Sequence, residues 1–194
     1  MKIFCYNDSG IKYESDKKED FQIFRVQAIN ENLQAIESEF FPFKTNENKS
    51  IVKDDGGNHI RLTDIEIFQK GYISLADLKT VLEVKAKAKC SQLIVSGFTS
   101  LALGSPYKYD SNMEDQSNLL ANVARNTSVK HKCTNANGIT FLMDHTAEQI
   151  KQVLEDGSVR KTEILTRYRE LVNQIASASE SSIQSIDITI EWGD

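Results

Sequence analysis

"SLADLKTVLEVKAKAKCSQLIVSG", residues 74–97, is where the chain changes its hydrophobic period. Leu75, Leu78, Leu82, Ala86, Cys90 and Leu93 recur at three- and four-residue steps, so they line one face of a helix. Lys79, Lys85, Lys87 and Lys89 fall mostly on the other faces. Ser74 is a favourable N-cap, because its hydroxyl can accept from a free amide of the first turn, and Asp77 complements the positive helix start. Gly97 suits the position just past the helix end, where the backbone turns left-handed. The spacing therefore predicts a long helix over 74–96, with a different kind of chain on its N-terminal side.

Upstream, the signals are those of short strands. "KIFCY" and "IKYES" flank the turn-forming "NDSG" and predict an N-terminal hairpin. In "FQIFRVQAI", Phe21, Ile23 and Arg25 alternate with Gln22, Phe24 and Val26; apolar on both faces, it reads as a central strand. "SIVKDDGGNHIRL" carries Asp55-Gly56-Gly57-Asn58 between β-type runs, a second hairpin signal, and "DIEIFQ" reads as one more strand. In "NENLQAIESEFFPFKTNEN", Leu33 and Ile36 are spaced for one helical turn. There Phe40, Phe41 and Phe43 read as an anchor, and Pro42 stops either kind of element.

Downstream, Ser111 with Glu114 fits a capping box, opening a helix with Met113, Leu120 and Ala124 on one face. "VKHKCTNANGITFLM" places two β-type arms around Asn137-Gly138, a strong hairpin signal. A two-residue loop there sets Leu142 opposite Cys133. Thr146 with Gln149 opens a further helix, with the stripe Ile150, Leu154, Gly157, Ile164, Tyr168, Leu171 and Ile175 and only Lys161 out of pattern. Because the stripe keeps its phase across Gly157, the helix is expected to be continuous, with Gly157 permitting a close crossing. At the end, Ile186, Ile188, Ile190 and Trp192 return to period 2, a strand or extended segment expected to pack back onto the helices. The expected fold is α+β: a β-rich domain over 1–72, then a mainly helical domain over 73–194 with two long helices and a β-hairpin.

Between the first two of these helices lies "GFTSLALGSPYKYDS", residues 97–111. Phe98, Leu101 and Leu103 read as a plug between helices, and Gly104 with Pro106 as a bend. Every unusual residue has a structural use except Tyr107 and Tyr109, which remain for partner contacts.

The 194 residues carry a net charge of −5, so no global basic field attracts nucleic acid. The lysines of 79–89 have no aromatic platform among them; flanking an apolar stripe, they suit a solvated face or the border of an oligomer interface. No apolar run approaches the ~18 residues of a membrane span, and "MKIFCYNDSG" lacks the apolar core of a secretory signal, so a soluble protein made in the cytosol is expected. Three scattered cysteines form no disulfide framework.

His131 and Cys133 face the same way on their strand, and His145 lies beyond the other arm, but zinc-type spacing and a fourth ligand are lacking. There is no Gly-x-Ser-x-Gly elbow, and "DDGG" at 54–57 lacks both the ligand pattern of a calcium loop and the lysine of a phosphate loop. Glu114 with Asp115, and Asp54 with Asp55, are adjacent in sequence and serve capping or turns. No catalytic residue, metal or cofactor is expected. By size and position, the candidate partner contacts are Phe40, Phe41, Phe43, Tyr107, Tyr109, Ile188, Ile190 and Trp192.

Several separated signatures also keep a common order: Gly97-Phe98, Leu103-Gly104, Tyr109 through Asp115-Gln116, His145-Thr146-Ala147-Glu148-Gln149, and Ile190 with Trp192. Over roughly residues 75 to 192 the chain resembles a domain family of unnamed function that recurs in tail proteins of tailed bacteriophages. The opening "MKIFCYNDSGIKYES" is similar to short β-rich leaders of small tail-fibre-associated proteins. The resemblance implies a non-enzymatic structural part of a phage tail, fibre or baseplate, made in the host cytoplasm and carried in the virion. It would attach to other tail or fibre proteins as a homo-oligomer, with a trimer favoured by the symmetry of tails. The alternative it leaves open is an assembly chaperone of the tail fibre that the virion does not retain. It transfers no catalytic residue.

Overall fold

A computed structural model describes residues 1–189 and Trp192. The protein is α+β and divides into two units, Met1–Leu78 and Lys79–Asp194.

In the first unit, β1 (Lys2–Asn7) and β2 (Gly10–Ser15) form the expected hairpin, and β3 (Gln34–Ser38) pairs with the other edge of β1, giving an antiparallel sheet of order β2-β1-β3. The central strand is buried on both faces: Ile3, Phe4, Cys5 and Tyr6 are each at most 5% exposed. Alternation separates them, so Phe4 and Tyr6 join Phe41, Phe43 and Ile51 in one cluster. Cys5 points the other way and its thiol donates to the Phe24 carbonyl at 3.3 Å.

That carbonyl belongs to a helix, α1 (Asp20–Asn30), in the segment expected to be a central strand. Phe21, Phe24 and Ala28 stand at helical spacing on the inward side, with Phe21 and Ala28 buried. The apparent alternation came from counting a second, outward apolar face. Asn32 ends α1 in the left-handed conformation, φ 52°, with Leu33 N–H donating to Ala28 O and Asn32 N–H to Ile29 O. This reversal feeds β3 alongside β1, so Leu33 and Ile36 do not share a helical turn.

The segment 64–69 is also a helix, α2 (Asp64–Gln69), not a strand. Thr63 Oγ1 accepts from Glu66 N–H and the Glu66 carboxylate accepts from Thr63 N–H, a reciprocal cap that overrides the β-type composition. The Asp55–Asn58 turn forms, with Gly57 N–H donating to Asp54 O, but its arms make no regular strands and share one isolated bridge, Lys53 with His59.

In the second unit, Leu82, Ala86 and Cys90 form the buried stripe of α3 (Leu75–Val95), which ends at Gly97, φ 94°. The corner that follows contains two short strands, β4 (Phe98–Ser100) and β5 (Tyr107–Tyr109). With β6 (Val129–Thr134) and β7 (Thr140–His145) they make an antiparallel sheet in sequence order. The hairpin forms around Asn137-Gly138, but with a three-residue loop. Asn135 N–H donates to Ile139 O, Gly138 N–H donates to Asn135 O, and Gly138 takes φ 76°. Cys133 therefore faces Phe141, while Leu142 faces Lys132.

Helix α4 (Met113–Arg125) is capped by Asn112 with Asp115, one residue later than expected. Ser111 instead donates to Ile94 O at 2.7 Å, tying the corner to the end of α3. The face moves accordingly: Leu119 is buried, while Met113 and Leu120 are 78% and 56% exposed. Helix α5 (Ala147–Ser177) starts at the Thr146–Gln149 cap and continues through Gly157. The group crossing closely at Gly157 is the ring of Phe98, not another helix. One core gathers Tyr109, Leu119, Val129, Cys133, Ile150 and Val153; a second gathers Cys90, Ile164, Leu171 and Trp192. Past α5, Ile183–Ser185 form a 3-10 turn, and no strand forms over 186–189.

Candidate functional site

Large side chains chosen by size are the ones a small domain needs for itself. Phe41 and Phe43 are 7% and 9% exposed and lie in the cluster beneath β1, with the Arg61 guanidinium 5.5 Å from the centre of the Phe43 ring. Tyr109 and Trp192 are likewise core residues. These four are therefore enclosed by their own chain and form no free face. Phe40 is half-buried and stacked on Tyr72 at 5.0 Å, and Tyr107 and Ile188 are half-buried. Ile190 lies outside the described residues.

An exposed apolar surface of the first unit lies on α1. Ile23, Val26 and Ile29, three residues apart, are 59%, 56% and 79% exposed. At this spacing successive side chains are displaced by only ~60° around the helix, so they form one stripe. Beside it Arg25 pairs with Glu37 of β3. In the sequence this stripe is one of the two apolar sides of the run 21–29, which follows the helical and not the alternating period.

The candidate chemical residues are brought together in the second unit. Tyr109 Oη lies 2.9 Å from His145 Nε2, and His145 Nδ1 lies 2.9 Å from Met143 O. A carbonyl only accepts, so Nδ1 carries a proton, and in that tautomer Nε2 accepts from the tyrosine hydroxyl. His131 Nδ1 accepts from the Asn122 amide at 3.0 Å, and its ring stands 6.0 Å from that of His145. Burial, then His145, holds the His131 imidazole below its ordinary pKa. Burial pushes the Cys133 thiol and the Tyr109 hydroxyl upward. The cluster thus favours a neutral imidazole at His131, an intact thiol and an intact phenol, which suits a satisfied polar core and not an activated nucleophile. Among the described residues, no group of three or more His, Cys, Asp or Glu is placed to hold a metal ion.

A polar groove opens beside this cluster between α4 and β6, with Lys132 Nζ 2.7 Å from Asp110 and 3.8 Å from Asp115. Its lining carries three carboxylates, Asp110, Glu114 and Asp115, and three cations, Arg125, Lys130 and Lys132, so it presents no net charge. Among the described residues, no helix is long and apolar enough to cross a membrane.

The sequence profile of a family described as a domain of unknown function (DUF4376) matches residues 77–190. No curated protein and no solved structure matches the chain significantly.

Proposed function

The chain belongs to the DUF4376 family, and from that premise we propose that it is a non-enzymatic structural component of a bacteriophage tail, an adaptor held by protein–protein contacts. The observation that carries the docking role is the bare stripe Ile23, Val26 and Ile29 on α1. Burying a large aliphatic side chain contributes about 1.5–3 kcal/mol, so a partner covering three of them gains several kcal/mol. The tail context rests on the ordered signatures from Gly97 to Trp192. We place the chain in the virion as a homo-oligomer, a trimer by preference, among other tail or fibre proteins.

Quantitative mass spectrometry of virions purified from the phage that encodes it is the test. A fixed ratio to a known tail protein supports the reading, and absence from mature particles overturns it. Light scattering of the purified chain reads the oligomeric state separately.

A further inference from the structure

The face of α5 that carries the buried Ile150, Ile164, Leu171 and Ile175 runs through eight successive positions, the others being Leu154, Gly157, Tyr168 and the exposed Lys161. Two neighbours in that series lack a large apolar group. The first, Gly157, is covered from outside by the Phe98 ring. The second, Lys161, leaves its place open. Beside it lies a pocket of about 190 Å³ walled by Leu93 and Ile94 of α3, Leu119 and Leu120 of α4, and Leu154 and Ile164 of α5. A heptad-like core would place leucine at 161; departures from such a rule mark candidate sites.

Size and charge narrow the occupant. A cavity of about 150 Å³ lined by Leu, Ile and Phe holds one benzene ring, whereas sites for larger ligands run from about 300 to 1,000 Å³. The charged residues in the wall are Arg160 and Lys161, both cations, on a chain of net charge −5. Arg160 donates to Trp192 O at 2.8 Å and lies 3.9 Å from Glu163. Lys161 is exposed, and one turn away on α5 it has Gly157, Ser158, Ile164 and Leu165, none of them acidic. Ser111 and Gln116, also in the wall, direct a donor each to the carbonyls of Ile94 and Ser111. Leu120, 56% exposed, and Lys161 form the mouth.

We propose that this pocket binds a small carboxylate whose hydrocarbon part is a single ring or one branched alkyl chain. The hydrocarbon sits between α3, α4 and α5, and the carboxylate pairs with the Lys161 ammonium. The site is independent of docking through α1.

The test is methyl NMR on the full chain, titrated with 3-phenylpropanoate and with the uncharged 3-phenylpropan-1-ol. Saturable shifts are expected at the Leu93, Leu119, Leu120 and Leu154 methyls, with the carboxylate about three- to five-fold tighter, as one partly exposed ion pair allows. Lys161→Gln should bring the carboxylate to the affinity of the alcohol. Leu120→Trp should block both probes, with circular dichroism confirming the fold. No saturable shift at these methyls, a Lys161→Gln variant that keeps the preference, or shifts confined to other residues would overturn the assignment. Because Lys161 is solvent-exposed, its variant remains decisive even if Leu120→Trp fails to fold.

Discussion

Phe98 and Gly157 compete for the same space: a Cβ built on Gly157 would lie 2.8 Å from Cζ of the Phe98 ring. The glycine is therefore what lets β4 lie against α5. In an isolated helix Gly→Ala would stabilise by about 1 kcal/mol. Here overpacking opposes that gain, and the expected result is a net loss of about 1–2 kcal/mol.

Urea denaturation of Gly157→Ala in two backgrounds isolates the contact. In the wild-type background the substitution should destabilise. With Phe98→Ala already present it should become neutral or stabilising, a non-additivity that reports coupling between the two sites. Additive effects would place the origin of the glycine elsewhere.

The α1 stripe gives the opposite expectation. Val26 is 56% exposed, so Val26→Glu should change the unfolding free energy by no more than about 0.5 kcal/mol. Incorporation into tail or fibre assemblies should nevertheless be lost. A variant that assembles normally would remove the stripe from the docking surface.

Glu66 supplies a pH test. The Lys44 ammonium at 2.8 Å, followed by the Thr63 amide, lowers its carboxyl pKa to about 2. A carboxylate lowered on folding stabilises the protein above its unfolded pKa of about 4.3, and that contribution is lost as pH falls through the folded value. Wild type should therefore be more stable than Glu66→Gln at pH 6, with the gap closing between about pH 4.5 and pH 2. Partial exposure of both side chains screens the pair and keeps the gap small. A gap that widens on acidification would contradict this linkage.

Tyr109→Phe removes the hydroxyl that satisfies Nε2 of His145, a residue with no exposed surface. Leaving that acceptor unpaired should cost about 1–3 kcal/mol by chemical denaturation. A neutral outcome would mean that the core relaxes to supply another donor.

Elements with a long consistent period were legible in the sequence: α3 from its leucine spacing, α5 through Gly157, and the hairpin around Asn137-Gly138. Short elements were not. In α1, helical spacing at Phe21, Phe24 and Ala28 was hidden because Ile23 and Val26 add a second apolar face, and nine residues do not separate the two periods. In α2 the Thr63–Glu66 cap was readable, but Ile65, Ile67 and Phe68 mimic a strand. Candidate contacts failed for a related reason. Size does not tell whether Phe41, Phe43, Tyr109 or Trp192 serves a partner or its own core; that depends on neighbours distant in sequence. Lys161 was legible as an irregularity, though the hollow beside it comes from three helices and is visible only in space.

The three-residue loop before Ile139 also determines which residues of β7 face the core. In its register, Val129 pairs with His145 and His131 with Met143, so both histidines point to one side of the sheet. A slip of β7 along β6 by one residue, the register that a two-residue Asn137-Gly138 loop would impose on this same sequence, would turn β7 over and carry His145 away from Tyr109. Residues 136–138 are therefore replaceable apart from the glycine at φ 76°, whereas one residue inserted within β7 itself would carry His145 to the opposite face of the sheet.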